Sequence, residues 1–179
     1  MVPYQGRPGD IGLVYSSTKI GSFVRFAQAL VGDWTVYSHA FIVLHDGYII
    51  EALPQGAAIT RLDQYNPRHL VFSNFRLTEG QRARVVEEAV RLEGTPYSFL
   101  DYLVIGLTHA GRRVNITPKW LRRYVYNSGK MMCSQLCAEA YKRAGLYLSD
   151  TSEPQDLTPG DLARIFLKYS GVRFSTHEV

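Results

Sequence analysis

The sequence has little cysteine: Cys133 and Cys137 are the only two in 179 residues. Two cysteines cannot build a disulfide framework, and these stand one helical turn apart, a poor geometry for bridging. The chain also lacks an apolar run near the ~20 residues that span a bilayer. The longest candidate, residues 99 to 107 (FLDYLVIGL), is too short and carries Asp101. The N-terminal stretch MVPYQGRPGD has neither the charged segment nor the apolar run of a secretory signal. The expectation is compatible with a reducing compartment, and the protein is either cytoplasmic or exported by a route that needs no signal. Repeats, low-complexity tracts and Pro/Ser linkers are missing as well, so residues 1–179 read as a single domain. At 46% hydrophobic and 20% charged residues the composition is that of an ordinary globular protein. A chain of this length buries a core without a disulfide or metal staple.

Acidic residues are absent from one long stretch. Between Asp101 and Glu139 no carboxylate occurs, while Arg112, Arg113, Lys119, Arg122, Arg123 and Lys130 all fall there. Such a segment suits an anionic polymer or membrane surface, or else is simply a solvated basic face. Nucleic acid is disfavoured as a partner, because no binding motif accompanies the charge.

What is present reads as α+β. IGLVYS after the Gly9-Asp10 turn, SHAFIVLH, YIIEAL, AAITRL and HLVFSNFRL are strand-like, and together suggest a small antiparallel meander. Asp46-Gly47 is a two-residue hairpin signal between the second and third. Helical spacing appears over residues 18 to 31, from a Thr78/Gln81 capping box to about Leu92, and over CSQLCAEAYKRAGL. Weaker helical patterns cover 98 to 108 and 118 to 126. Thr158-Pro159-x-Asp161 opens a last helix with proline at its first position.

Cys133 stands in the first turn of one such helix, where unpaired backbone N–H groups and the helix dipole favour an anion. That placement lowers a thiol pKa and offers an N–H to a developing oxyanion, so Cys133 is expected to be a partly exposed nucleophile. Its other reading is plain packing. Cys137, one turn further on the apolar face, suits packing better. His39 opens an apolar strand, as a general base or as a structural histidine. His45 lies in the Asp46-Gly47 turn and is expected to meet solvent. Glu51 ends the partner strand. With Asp46-Gly47 as a simple two-residue turn, Glu51 falls opposite Ile42 and His39 opposite residue 54, so the two are offset unless a bulge intervenes. His39, His45 and Glu51 have no useful metal spacing, and no metal or cofactor site is implied.

These residues resemble a known superfamily, the NlpC-type, papain-like cysteine hydrolases in circularly permuted form. GDIGLVYS is similar to the opening strand, and SHAFIVL with GYIIEAL to the histidine strand and its neighbour. EGTPYSFLDYL resembles the Gly-x-Pro-Tyr segment, CSQLCAEAYKRAGL the nucleophile helix, and TPGDLARI the closing Pro-x-Asp-Leu element of permuted members. The resemblance implies a permuted papain-like fold, with an antiparallel sheet packed on the cysteine helix. In it Cys133 is the nucleophile, His39 the base, Glu51 the orienter and Tyr97 a helper near the nucleophile. It implies no cofactor, and as substrate an amide in a cell-wall (peptidoglycan) peptide. Acyl hydrolysis or transfer on a lipid is the first alternative, since the superfamily includes lecithin:retinol acyltransferase relatives and VNITPKWLRRYVY is basic and aromatic. A non-catalytic binding or assembly module is the second.

The basic stretch yields a direct prediction. Reversing Arg122 and Arg123 to Glu weakens binding to anionic vesicles or anionic wall polymer in a sedimentation assay, and the difference shrinks as salt rises. Equal binding at low salt returns the stretch to a solvated face.

Overall fold

The computed structural model describes residues 5–15, 37–53, 55–96, 133–148, 157, 159–169 and 172–174. The strand-like segments form one antiparallel sheet. β1 (Ile11–Tyr15), β2 (Tyr37–Val43), β3 (Tyr48–Leu53) and β4 (Gly56–Arg61) follow one another as a meander. β5 (Leu70–Ser73) does not extend that meander beside β4. It returns to the far side of β1, giving the order β4-β3-β2-β1-β5-β6. The reason lies in β1: Ile11 and Leu13 are wholly buried, so the backbone groups along both edges of the strand need partners. Two short 3-10 turns, Leu62–Gln64 and Pro67–His69, carry the chain back. β6 (Val172–Phe174) has too few residues to show a period in the sequence.

Strand alternation sorts the apolar residues onto two faces. Ile11, Leu13, Ala40, Ile42, Ile50, Ala52 and Val71 point to the helices. Val14, Phe41, Val43, Ile49, Leu70 and Phe72 form a smaller cluster on the other face, under Leu62 and Tyr65.

Three helices are described. α1 (Glu79–Val90) opens with the expected capping box: Thr78 Oγ1 accepts from the Gln81 N–H at 3.2 Å, and Gln81 Oε1 from the Thr78 N–H at 2.8 Å. α2 (Cys133–Arg143) carries Cys133, Leu136, Cys137, Ala140, Tyr141 and, just past its end, Ala144. That 3-4 spacing is one continuous stripe, and all six residues lie in the helix-side core. α3 (Pro159–Tyr169) starts on the expected proline and buries Leu162 and Phe166. The helices expected over 18–31, 98–108 and 118–126 lie outside the described residues, as does the basic stretch.

A buried polar knot ties α1 and α2 to the turn before β1. Arg82 Nη1 donates to Asp10 Oδ1 at 2.7 Å and to the Pro8 carbonyl at 3.0 Å, with both ionic side chains almost wholly buried. The Tyr141 hydroxyl donates to the Gly9 carbonyl at 2.5 Å. α2 is thereby fixed along its length as well as by its apolar stripe. Arg82→Met leaves the Asp10 carboxylate buried without its countercharge. It should lower unfolding free energy by about 3–5 kcal/mol, measured by urea titration. A loss under about 1 kcal/mol, the size of a surface pair, would mean that the knot does not bear on stability.

Candidate active site

β2 is interrupted at both ends, and both interruptions bear on the site. At its start, Val14 pairs with His39 but Tyr15 with Tyr37, so Ser38 is an extra residue immediately before the histidine. Bulges of this kind re-aim the neighbouring side chain. At its end, Leu44 N–H donates to the Tyr48 carbonyl while Tyr48 N–H donates to the His45 carbonyl, so two residues face one. Asp46 and Gly47 both have positive φ, 56° and 73°, as a two-residue type I′ turn requires.

The second bulge corrects the simple register. Glu51 lies opposite Phe41, not opposite Ile42. A one-residue slip moves every side chain to the other face of the sheet. Glu51 therefore shares a face with His39, diagonally across the strand pair, and the expected offset is closed.

The His39 Nε2–H meets Glu51 Oε2 at 2.6 Å. Three more donors converge on the same carboxylate. The Tyr65 hydroxyl reaches Oε2 at 2.5 Å, and the Thr60 hydroxyl and Gln64 Nε2 reach Oε1 at 2.5 and 2.9 Å. The Glu51 side chain is 1% exposed and that of His39 20%. Tyr65 stacks on Phe41, with ring planes 9° apart and centroids at 5.8 Å, and its centroid lies 6.2 Å from that of His39.

His39 is also hydrogen-bonded to the Cys133 side chain. With Nε2 engaged by Glu51, Nδ1 is the ring nitrogen left for the thiol. The imidazole thus links the first turn of α2 to a buried carboxylate on the sheet. Burial by itself would lower the His39 pKa. The hydrogen bonds and negative charge of Cys133 and Glu51 outweigh it and lift the group from 6.5 to about 10. Burial likewise would raise the Glu51 pKa, but the His39 hydrogen bond and charge, then Thr60 and Tyr65, bring it from 4.5 down to about 2.

Several expectations meet this geometry differently. Cys133, His39 and Glu51 come together. Cys133 is not partly exposed, however: it is 1% exposed, because it opens the stripe that α2 presses onto the sheet. Cys137 is buried on that stripe, where desolvation and then the Cys133 charge push its thiol pKa well up. His45 is exposed at the turn. Tyr97 lies outside the described residues. Thr60, Gln64 and Tyr65 were not anticipated. Thr60 was within reach, since β3–β4 pairing sets it opposite Ile49 and so diagonal to Glu51. Gln64 and Tyr65 sit in a 3-10 turn and its cap, which leave no periodic signal.

No family model matches the chain, and no curated protein matches it either. Among solved structures, it is similar to the crystal structure of the metalloprotein yiiX from Escherichia coli O157:H7, a DUF1105 protein. The TM-score is 0.55 at 20% sequence identity, over 85% of this chain and 78% of that one. The two share a fold.

The pair of shifted groups gives stability a pH signature. The Glu51 contribution is complete above its unfolded pKa of 4.5 and is lost as pH falls through about 2. The His39 contribution is complete below 6.5 and is lost as pH rises through about 10. Wild type should therefore exceed Glu51→Gln most in urea stability between pH 4.5 and 6.5. The excess should shrink on acidification by up to roughly 3 kcal/mol, the value of a pKa difference of that size. An excess that stays constant from pH 6 to pH 3 would show that the carboxylate is not paired.

Proposed function

We propose that this chain is a cysteine hydrolase of the permuted papain-like kind, cleaving an amide bond through an acyl-enzyme, with a cell-wall peptide as substrate. The observation that carries this reading is the single imidazole hydrogen-bonded to both the Cys133 thiol and the buried Glu51 carboxylate. A nucleophile, a base and an orienter in that arrangement have the logic of a catalytic triad whatever their order along the chain.

In the proposed reaction the proton on Cys133 Sγ passes to His39 Nδ1, giving a thiolate and an imidazolium. Glu51 stabilises that cation and keeps the other proton on Nε2. The thiolate attacks the amide carbonyl carbon, and the carbonyl π electrons move to oxygen. In this scheme N–H groups at the α2 N-terminus, that of Cys133 among them, receive that oxyanion. The tetrahedral intermediate collapses, the C–N bond breaks, and the imidazolium proton goes to the departing amine. Water then gives a proton to His39 and attacks the thioester. Collapse of the second tetrahedral intermediate releases the acid and restores the thiolate–imidazolium pair. The lifted His39 pKa supports such a pair as the resting form near neutral pH.

The structural neighbour is titled a metalloprotein. Among the described residues of this chain, no group of three or more His, Cys, Asp and Glu is placed to hold a metal ion. Both Glu51 oxygens are already filled by protein donors. These residues do not fit a metal, and the proposed steps use the side chains and backbone N–H groups named above.

Incubation with a mixture of wall peptides and acyl lipids should leave an acyl mass on Cys133. That mass would tell amide cleavage of a peptide from acyl transfer on a lipid. Cys133→Ala should eliminate turnover. His39→Ala should lower it by about 10²–10⁴, the span of general-base contributions, and Glu51→Gln should leave partial activity. Wild-type turnover by Cys133→Ala would sink the reading, and no acyl mass with no turnover by the wild-type protein would favour a binding or assembly module.

A further inference from the structure

Glu51 holds His39, and the structure also shows what holds Glu51. Its carboxylate has about four lone-pair positions, and four side-chain donors are in place. Thr60 and Gln64 share Oε1 and also bond each other at 2.9 Å. Among the described residues Oε2 is shared by His39 and Tyr65. The Tyr65 hydroxyl is thus, among those residues, the partner acting on the same oxygen as the imidazole.

Tyr65 is itself firmly placed. Its N–H donates to the Leu62 carbonyl at 3.1 Å, and the Leu62 N–H donates to the Gly47 carbonyl at 2.9 Å, tying this turn to the β2–β3 hairpin. Its ring lies parallel to Phe41, which meets Phe72 edge-on with planes 75° apart. Phe41 in turn lies against residue 12, where any side chain would overlap its ring, so glycine is required there. Burial, then the neighbouring Glu51 charge, keeps the phenol protonated far above its ordinary range, so it donates at every working pH.

We propose that Tyr65 is a positioning residue of this site: its hydroxyl and the Phe41–Gly12 platform hold Glu51 Oε2, and through it the His39 ring, so that Nδ1 faces Cys133. The inference rests on the Cys133–His39–Glu51 reading above and adds a fourth member that touches neither substrate nor nucleophile. The titratable groups around Glu51 are His39 from β2 and Tyr65 from the turn after β4, with Cys133 of α2 beyond the imidazole.

The test is alkylation of Cys133 by iodoacetamide from pH 5 to 9, followed by peptide mapping, in the full chain. Cys133 and Cys137 are equally buried, so their difference in labelling reads ionisation and not access. Wild type should label Cys133 well below the ordinary thiol pKa of about 8.5, and His39→Ala should lose that low-pH reactivity. Tyr65→Phe keeps the ring and removes only the hydroxyl. It should lower Cys133 labelling at pH 6 by about three- to tenfold, the value of one net hydrogen bond. In a Glu51→Gln background the same substitution should change the rate less than twofold, because Tyr65 acts through the carboxylate. Unchanged labelling in Tyr65→Phe, or an equal loss in both backgrounds, would overturn the positioning role. A profile indifferent to His39→Ala would instead sink the catalytic pair on which it rests.

Discussion

A carboxylate taken out of water loses several kcal/mol of solvation unless partners replace it, and Glu51, wholly enclosed, sets that demand on the whole sheet. It is met from three directions: β2 brings His39, β4 brings Thr60, and the turn after β4 brings Gln64 and Tyr65. Removing any one leaves an oxygen short. The return of the chain over the sheet face between β4 and β5 is therefore more than a connection, because it delivers two of the four donors.

The same demand explains why β2 is irregular. An unbulged hairpin around Asp46-Gly47 would set Glu51 opposite Ile42, on the face packed by the helices. There it would meet apolar neighbours such as Ala40, Ile42 and Leu136. One extra residue at Leu44/His45 moves it to the face of Phe41. At the other end of β2 the extra Ser38 lies beside a histidine that contacts Glu51 on the sheet, Tyr65 in the turn after β4 and Cys133 on α2. Both departures from regular pairing therefore fall within six residues of His39.

Much of this was legible in the residues, and the gaps have identifiable causes. Period-2 and 3.6 patterns located β1 to β4, α1, α2 and α3 within a few residues, since each buries one face and the pattern records burial. The capping box at Thr78 and Pro159 at a helix start are local chemistry and were visible as such. β5 was placed on the wrong neighbour, because pairing partners are decided by which edge needs covering and not by the strand's own sequence. The expected partnership of His39 with Glu51 is found, but the simple hairpin register is off by one residue, since a bulge leaves no mark in alternation until the partner strand is seen. Tyr65 and Gln64 were invisible for a related reason: a short 3-10 turn has no period to read. Burial of Cys133 was also misjudged. The stripe Cys133, Leu136, Cys137, Ala140, Tyr141 was readable in advance and already pointed the thiol toward the sheet.

That stripe carries one further consequence. Cys133 and Cys137 sit on the same helix face and are equally enclosed, so burial does not distinguish them. One turn of helix does. The Cys137 N–H lies inside the helical ladder, and its thiol faces apolar neighbours, so desolvation and then the Cys133 charge drive its pKa up and keep it neutral. Cys133 stands in the first turn, with the imidazole beside it. Once one thiol is ionised, its charge raises the cost of ionising the other. Cys137 is thus held neutral within the stripe, and the proposed nucleophile is the thiol with the imidazole beside it.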